Sequence, residues 1–271
     1  MSQFVHLHVH SQYSLLDGQA AISAIVDKAI ADGMPGVALT DHGVMYGIKE
    51  FTNYVNKKNK GPKGAVKDLQ KRLKAVIDGE ADPEGKSADE LTAEIKAQQS
   101  KIFTPIIGCE MYVANGSNTD RSDKRDTGRH LVVLAKNKTG YRNLIKLVSE
   151  SWTKGFYFHP RTDKESIAAH HEGLIISSAC LGGEIPRLLM NGDVEGAEQA
   201  VLWWKELMGE DYYLELQRHK ASTPGGNTET YQRQKEIEPE IIRLARKHNI
   251  KLIATNDSHF VNEEDAEAHD H

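Results

Sequence analysis

Residues 4–10 read "FVHLHVH", and the chain continues as "SQYSLLDG" to residue 18. Side chains alternate in this opening with the period of a β-strand, so His6, His8 and His10 share one face. Three imidazoles on one face of a strand is an uncommon composition. Asp17 follows in the loop that leaves the strand.

Six further stretches carry strand-like patterns: "GVALTDHG" (36–43), "TPIIGCEMYVA" (104–114), "RHLVVLAKN" (129–137), "GLIISSACLGG" (173–183), "DYYLELQRH" (211–219) and "IKLIATNDSHF" (250–260). Most are separated by helical periodicity. In "ISAIVDKAIADG" (22–33), Ile22, Ile25, Val26, Ala29 and Ile30 fall on one face and Gly33 supplies a C-cap. Helical patterns also cover 141–152, 197–209 and a long stretch near 229–248. Strands alternating with helices imply an α/β fold with a parallel sheet. Seven such units without a second compositional block predict a closed or nearly closed barrel forming one domain over residues 1–271. A doubly wound open sheet is the alternative.

Residues 60–101 break the rhythm. "AVKDLQKRLKAVIDG" places Val66, Leu69, Leu73, Val76 and Ile77 on one helical face, and "SADELTAEIKAQQSKI" opens with a capping box from Ser87 to Glu90. The first half is basic and the second acidic. The pattern predicts an antiparallel helical hairpin inserted outside the core, with "GEADPEG" (79–85) as a flexible tip.

The composition is that of an ordinary water-soluble domain, with 39% hydrophobic and 27% charged residues. No apolar run approaches the roughly 18 residues of a membrane span, and the start lacks a secretory pattern. Two cysteines, Cys109 and Cys180, make no disulfide framework, so a reducing cytoplasm is the expected compartment. A net charge of −5 argues against a simple basic nucleic-acid binder. It leaves room for nucleic-acid chemistry that runs through bound cations.

The unusual entry in the composition is 13 histidines. His8, His10, His42, His130, His219 and His259 lie in or just after strand-like runs, too many for incidental structural histidines. Glu110 sits inside an apolar run, where a lone charge is costly unless paired or metal-bound. Cys180, Asp257 and His259 fall at strand ends, the rim at which α/β barrels build active sites. Imidazole, carboxylate and thiolate are metal ligands by type. Their number exceeds the needs of one ion and suits two or three, an arrangement that can activate water for in-line displacement at phosphorus. Cys109 neighbours Glu110, points to the opposite face and reads as core. His6 reads as structural. His269 and His271 lie in a polar tail and read as solvated.

Together, "FVHLHVHSQYSLLDG", "ALTDHGVMYG", "PIIGCEMYVA", "RHLVVLAKNKTGYRNLIKLVS", "GFYFHPR", "SSACLGGEI" and "ATNDSHF" resemble the PHP (polymerase and histidinol phosphatase) domain. "YSLLDG" and "KTGYRNLIKLVS" point to the branch found at the N-terminus of bacterial replicative DNA polymerases. The resemblance implies a distorted seven-stranded (β/α) barrel of PHP type and a metal-dependent phosphoesterase with a trinuclear centre of zinc or manganese. Carried over position by position, it implies nine ligands: His8, His10, Asp17, His42, Glu110, His130, Cys180, Asp257 and His259. One ion would take His8, His10, Glu110 and Asp257. A second would share Glu110 and add His130 and Cys180, and a third would take Asp17, His42 and His259.

The resemblance further implies a fragment of a longer DNA-directed DNA polymerase. Its partners would be a primer 3′ end, the polymerase body and other replicase subunits, with no membrane. The expected activity is a 3′–5′ proofreading exonuclease, with Arg161 and His219 as candidate substrate-binding residues. A free-standing phosphatase acting on a small phosphate monoester is the first alternative. A non-catalytic module supporting the polymerase is the second.

Overall fold

The computed structural model describes residues 4–220, 228–262 and 265. In chain order the elements are α1 (Ile22–Ala31), β1 (Gly36–Leu39), α2 (Ile48–Lys58), α3 (Lys60–Ile77), α4 (Ala88–Gln99), β2 (Thr104–Val113) and β3 (Arg129–Ala135). There follow α5 (Lys138–Thr153), β4 (Phe156–Tyr157), β5 (His159–Thr162), α6 (Lys164–Ala169), β6 (Leu174–Ser177), α7 (Glu184–Met190), α8 (Val194–Met208), β7 (Tyr212–Leu216), α9 (Glu229–Lys247) and β8 (Lys251–Ala254). His269 and His271, and most of the polar tail, lie outside the described residues. No described helix is long and apolar enough to cross a membrane.

The long strand β2 organises the sheet. One edge pairs with β1, from Gly36↔Thr104 to Leu39↔Ile107, and further along with β5 through Tyr112↔Arg161. The other edge pairs with β3, which continues through β6 and β7 to β8. The N-terminal segment then spans from β8 back to β1. His10 N–H donates to Ser258 O and Ser258 N–H to His8 O on one side, while Ala38 N–H donates to His6 O and Thr40 N–H to Val9 O on the other. A curled, ring-like sheet of seven staves results.

Two features depart from the parallel, regular sheet that the sequence implied. First, β3 runs antiparallel to both β2 and β6. A parallel return needs a long crossover, usually helical, and residues 114–128 contain no helix. The reversal has a functional consequence, because it brings the start of β3, with His130, to the rim where β1 and β2 end. Second, the opening stretch is extended but forms no continuous ladder: besides the bridge Val9↔Ser258 it is held by isolated backbone bonds to Ala38 and Thr40. Its ladder is partly replaced by a side chain, since Val9 N–H donates to Thr40 Oγ1 at 2.8 Å.

Helices cover the outside of the ring. Leu144 and Leu147 of α5, Val201 and Trp204 of α8, and Ile237, Ile241 and Leu244 of α9 pack with Cys109, Val133 and Ile176 of the strands. Ile22, Val26, Phe51 and Val55 of α1 and α2 cover β1. Full burial of such a side chain contributes about 1.5–3 kcal/mol relative to exposure.

Helices α3 and α4 pack on each other through a separate cluster, Val66, Leu69, Leu91 and Ile95. Ser87 and Glu90 form the capping box at the start of α4. The base of the pair is tied reciprocally: Asn59 Nδ2 donates to Phe103 O at 2.7 Å, and Phe103 N–H donates to Asn59 Oδ1 at 2.8 Å. The connecting tip is more ordered than its Gly/Pro-rich sequence suggests. Arg72 grips Asp82 with two bonds of 2.8 Å, and Asp82 also accepts the backbone N–H groups of Glu84 and Lys86.

Candidate metal centre

The mouth of the ring gathers the side chains singled out in the sequence. His8 and His10 are fully buried, and Glu110 is 1% exposed. His8 Nε2 lies 3.2 Å from Glu110 Oε1 and 3.2 Å from Asp257 Oδ1. His10 Nε2 lies 3.2 Å from Glu110 Oε2 and 3.2 Å from Asp257 Oδ1. The donor atoms of these four residues all fall within 4.8 Å of one another. His42, Glu110 and His130 form a second such group, and His10, His42 and His259 a third. Cys180 Sγ lies 3.4 Å from His130 Nδ1 and 3.6 Å from Glu110 Oε1. Asp17 Oδ2 lies 3.1 Å from His42 Nε2 and 3.6 Å from His259 Nε2. All nine side chains therefore meet around Glu110.

The tautomers argue for a cation. His10 Nδ1 is 2.9 Å from Ser14 Oγ, and Ser14 in turn donates to Asp41 Oδ1. Nδ1 of His10 must then carry the proton, which leaves a lone pair on Nε2. His8 Nδ1 likewise faces Glu215 Oε2 at 3.2 Å. Both Nε2 atoms face carboxylate oxygens. Burial opposes a charge on His8, but Asp257, Glu110 and Glu215 raise its pKa well above the usual value, so that in the absence of a cation a proton stands where an ion would. The pairs are close but not aligned as hydrogen bonds: His8 Nε2, His10 Nε2, Glu110 Oε2 and Asp257 Oδ1 are all buried without one. Donor atoms that converge on a common point rather than on each other fit a shared positive ion. The nitrogen, oxygen and sulfur donor set is compatible with divalent metal ions.

The electrostatics agree. Burial opposes ionisation of Glu110, yet His130 and His8 outweigh it and hold the carboxyl well below the usual range. Burial works against a charge on His42, but Asp17 and Glu110, whose Oε2 lies 2.7 Å from His42 Nδ1, push it up to about 10. The Cys180 thiol is pushed up, first by burial and then by the Glu110 charge. A bound divalent ion inverts that preference and favours the thiolate. The backbone is strained beside this ligand, since buried Ala179 holds φ at 62°.

Sequence reasoning missed Glu215. It is 2% exposed and accepts hydrogen bonds from Ser177, Thr255 and Gln217 while orienting His8. The signal was present: a lone carboxylate inside the apolar run "YYLEL", the same cue that marked Glu110. Asp41 was also overlooked as a positioning group; it accepts bonds from Ser11 and Ser14 and so fixes the loop that carries Asp17.

The two candidate substrate residues have other roles. Arg161 is fully buried and donates to Asp126, to Asn118 O and to Asp120 O, organising the loop between β2 and β3. It has no free face for a phosphate. His219 uses both ring nitrogens: Nε2 donates to Asn256 O at 2.7 Å and Nδ1 accepts from Gln234 at 3.1 Å. It steadies the backbone beside Asp257. His6 lies apart from the cluster, in a cavity with Ile25, Met34 and Val37.

A curled α/β ring whose mouth collects histidines, carboxylates and one cysteine is a barrel with a candidate metal centre. The family model described as "PHP domain" matches residues 6–219, and the chain belongs to the PHP domain family. It is 39% identical over 271 residues to the DNA polymerase III subunit alpha of Borreliella burgdorferi, covering 99% of this chain and 19% of that protein. It is 39% identical over 270 residues to the subunit of the same name in Treponema pallidum, covering 98% and 18%. The chain thus spans about a fifth of the length of these relatives. Among solved structures, an amidohydrolase from Chromobacterium violaceum aligns with a TM-score of 0.50 at 13% identity, covering 96% of this chain and 88% of that one. That likeness concerns the fold.

Proposed function

We propose that this chain is the metal-dependent phosphodiesterase part of a replicative DNA polymerase and that it removes nucleotides from a primer 3′ end. The observation that supports it most is the set of buried Nε2 and carboxylate atoms that converge without bonding to one another. In this reading His8, His10, Glu110 and Asp257 hold one divalent ion, Glu110 with His130 and Cys180 a second, and Asp17, His42 and His259 a third. When bound, ions so placed activate water and stabilise charge on the phosphoryl and leaving oxygens.

The chain's own groups set the conditions. Glu215 and the Ser14–Asp41 pair hold His8 and His10 in the tautomer that presents Nε2. Burial of Glu110 keeps its charge undiluted by water. The polymerase body and other replicase subunits would be partners through regions outside this chain.

The test is a side-by-side assay of the zinc- or manganese-loaded protein on a single-stranded DNA 3′ end and on a small phosphate monoester. Preferential release of nucleotides from DNA is the expected result. Preference for the monoester would favour a phosphatase. Full metal loading with neither activity would favour a supporting, non-catalytic module.

A further inference from the structure

A second polar feature adjoins the donor cluster. A groove of about 860 Å³ runs outside the rim between the loop before β3, the second half of α7 with the loop that leads into it, and the first half of α9. Four arginines line it, Arg125, Arg129, Arg187 and Arg233, against two carboxylates, Asp123 and Glu236. Some of that charge is answered locally: Arg125 Nε lies 3.5 Å from Asp123, and Arg233 pairs with Glu229 at 2.5 Å. Arg129 and Arg187 are different. Neither side chain has a hydrogen bond or salt bridge to another described residue, and both face the same groove. Burial and Arg187 act against the Arg129 charge, and Asp126, Glu184 and Asp123 offset them only in part, so an anion between the two guanidiniums is favoured, and a guanidinium is a fitting partner for a phosphate oxygen.

The wall between groove and donors is one residue thick. Gly182 lines the groove, accepts the His130 N–H at 3.0 Å and donates to Cys180 Sγ at 3.4 Å. A Cβ on Gly182 would come within 2.8 Å of the His130 ring, so only glycine lets the two surfaces approach this closely. Across this glycine lie two of the nine donors. An anion-binding groove set against a phosphoryl-cleaving site is suited to a polyanion, with contacts to the backbone that position it without reading sequence.

We propose that Arg129 and Arg187 bind the phosphodiester backbone of single-stranded nucleic acid and lead its 3′ end over Gly182 to the donor cluster. This inference rests on the phosphodiesterase reading above. The chain's net charge of −5 makes such a local basic groove the more specific, since most of the surface would repel the strand.

The test is equilibrium binding, followed by fluorescence anisotropy, of a labelled oligothymidylate with hydrolysis-resistant phosphorothioate linkages to the metal-loaded chain over a salt series. Arg129→Ala with Arg187→Ala should weaken binding at least tenfold. It should also reduce the slope of log K against log salt by about 1.4, since each phosphate contact on a single strand contributes about 0.7. Arg129→Lys with Arg187→Lys should keep the slope, which a fold defect would not. Arg243→Ala, on the outer face of α9 and paired with Glu240, should change nothing. The proposal is overturned if the alanine pair binds with wild-type affinity and slope, as it would if the groove docks an acidic protein segment instead. It is also overturned if the wild type shows no salt-dependent binding. Because no cleavage is read, tight salt-dependent binding without hydrolysis of ordinary DNA would count against the phosphodiesterase reading and leave the groove in place.

Discussion

At the scale of single residues, the account turns on which atoms face the centre. Asp257→Asn keeps the shape but removes negative charge from a site shared with His8, His10 and Glu110. His8→Ala removes a nitrogen donor from the same site. Each should lower exonuclease activity by at least about 100-fold, roughly 2.7 kcal/mol of barrier. The double variant should cost little more than either single one, because both disable one unit. Activity surviving either change would identify a contaminating nuclease. Cys109→Ala should leave activity largely intact, since Cys109 lies in the core on the other face of β2, where its thiol donates to Asp41 O at 3.3 Å. Glu215→Gln should weaken metal affinity about 10- to 100-fold through His8 orientation alone. Titration of zinc into the metal-free variant reads this directly, and unchanged affinity would remove Glu215 from the account. Metal affinity should also rise with pH. His42 is held protonated up to about 10 in the absence of a cation, and the Cys180 thiol resists ionisation, so both must release protons on binding. Between about pH 8 and about pH 6 the apparent affinity should fall at least tenfold per unit, and a flat profile would contradict that displacement.

At the scale of elements, the helix and strand periods were legible because burial follows them closely. In α1, Ile22, Ile25, Val26 and Ala29 are buried as their spacing implies, while Ile30, at the edge of that face, is 40% exposed. The sign of β3 was not legible, because strand direction depends on how the chain returns and not on the pattern within the strand. Nor was the extended, largely unpaired character of residues 4–10, since Thr40 supplies its bond from another element. The α3–α4 pair carries its own apolar cluster, its own cap and its own tip clamp. Replacing residues 60–101 with a short Gly/Ser linker should therefore leave metal content and thermal unfolding nearly unchanged. Loss of the folded state on deletion would show that Asn59 and Phe103 anchor more of the barrel than this base contact suggests.

At the scale of the whole molecule, donors drawn from residue 8 to residue 259 meet only because the ring closes between β8 and β1. The identities of the donors could be read from residue type and from position at strand ends. Their convergence was implied by the resemblance alone and not by the pattern, because it needs the N-terminal segment, the reversed β3 and the loops after β1, β6 and β8 to reach one point. The same three-dimensional closure hides the internal roles of Arg161 and His219, whose partners come from distant loops. The central claim is that this closure builds a site for several cations. Elemental analysis of the purified chain, stripped and then reconstituted with zinc or manganese, tests it most directly. Two to three equivalents per chain are expected, with fewer retained in Asp257→Asn. Less than one equivalent in the wild-type protein would contradict it.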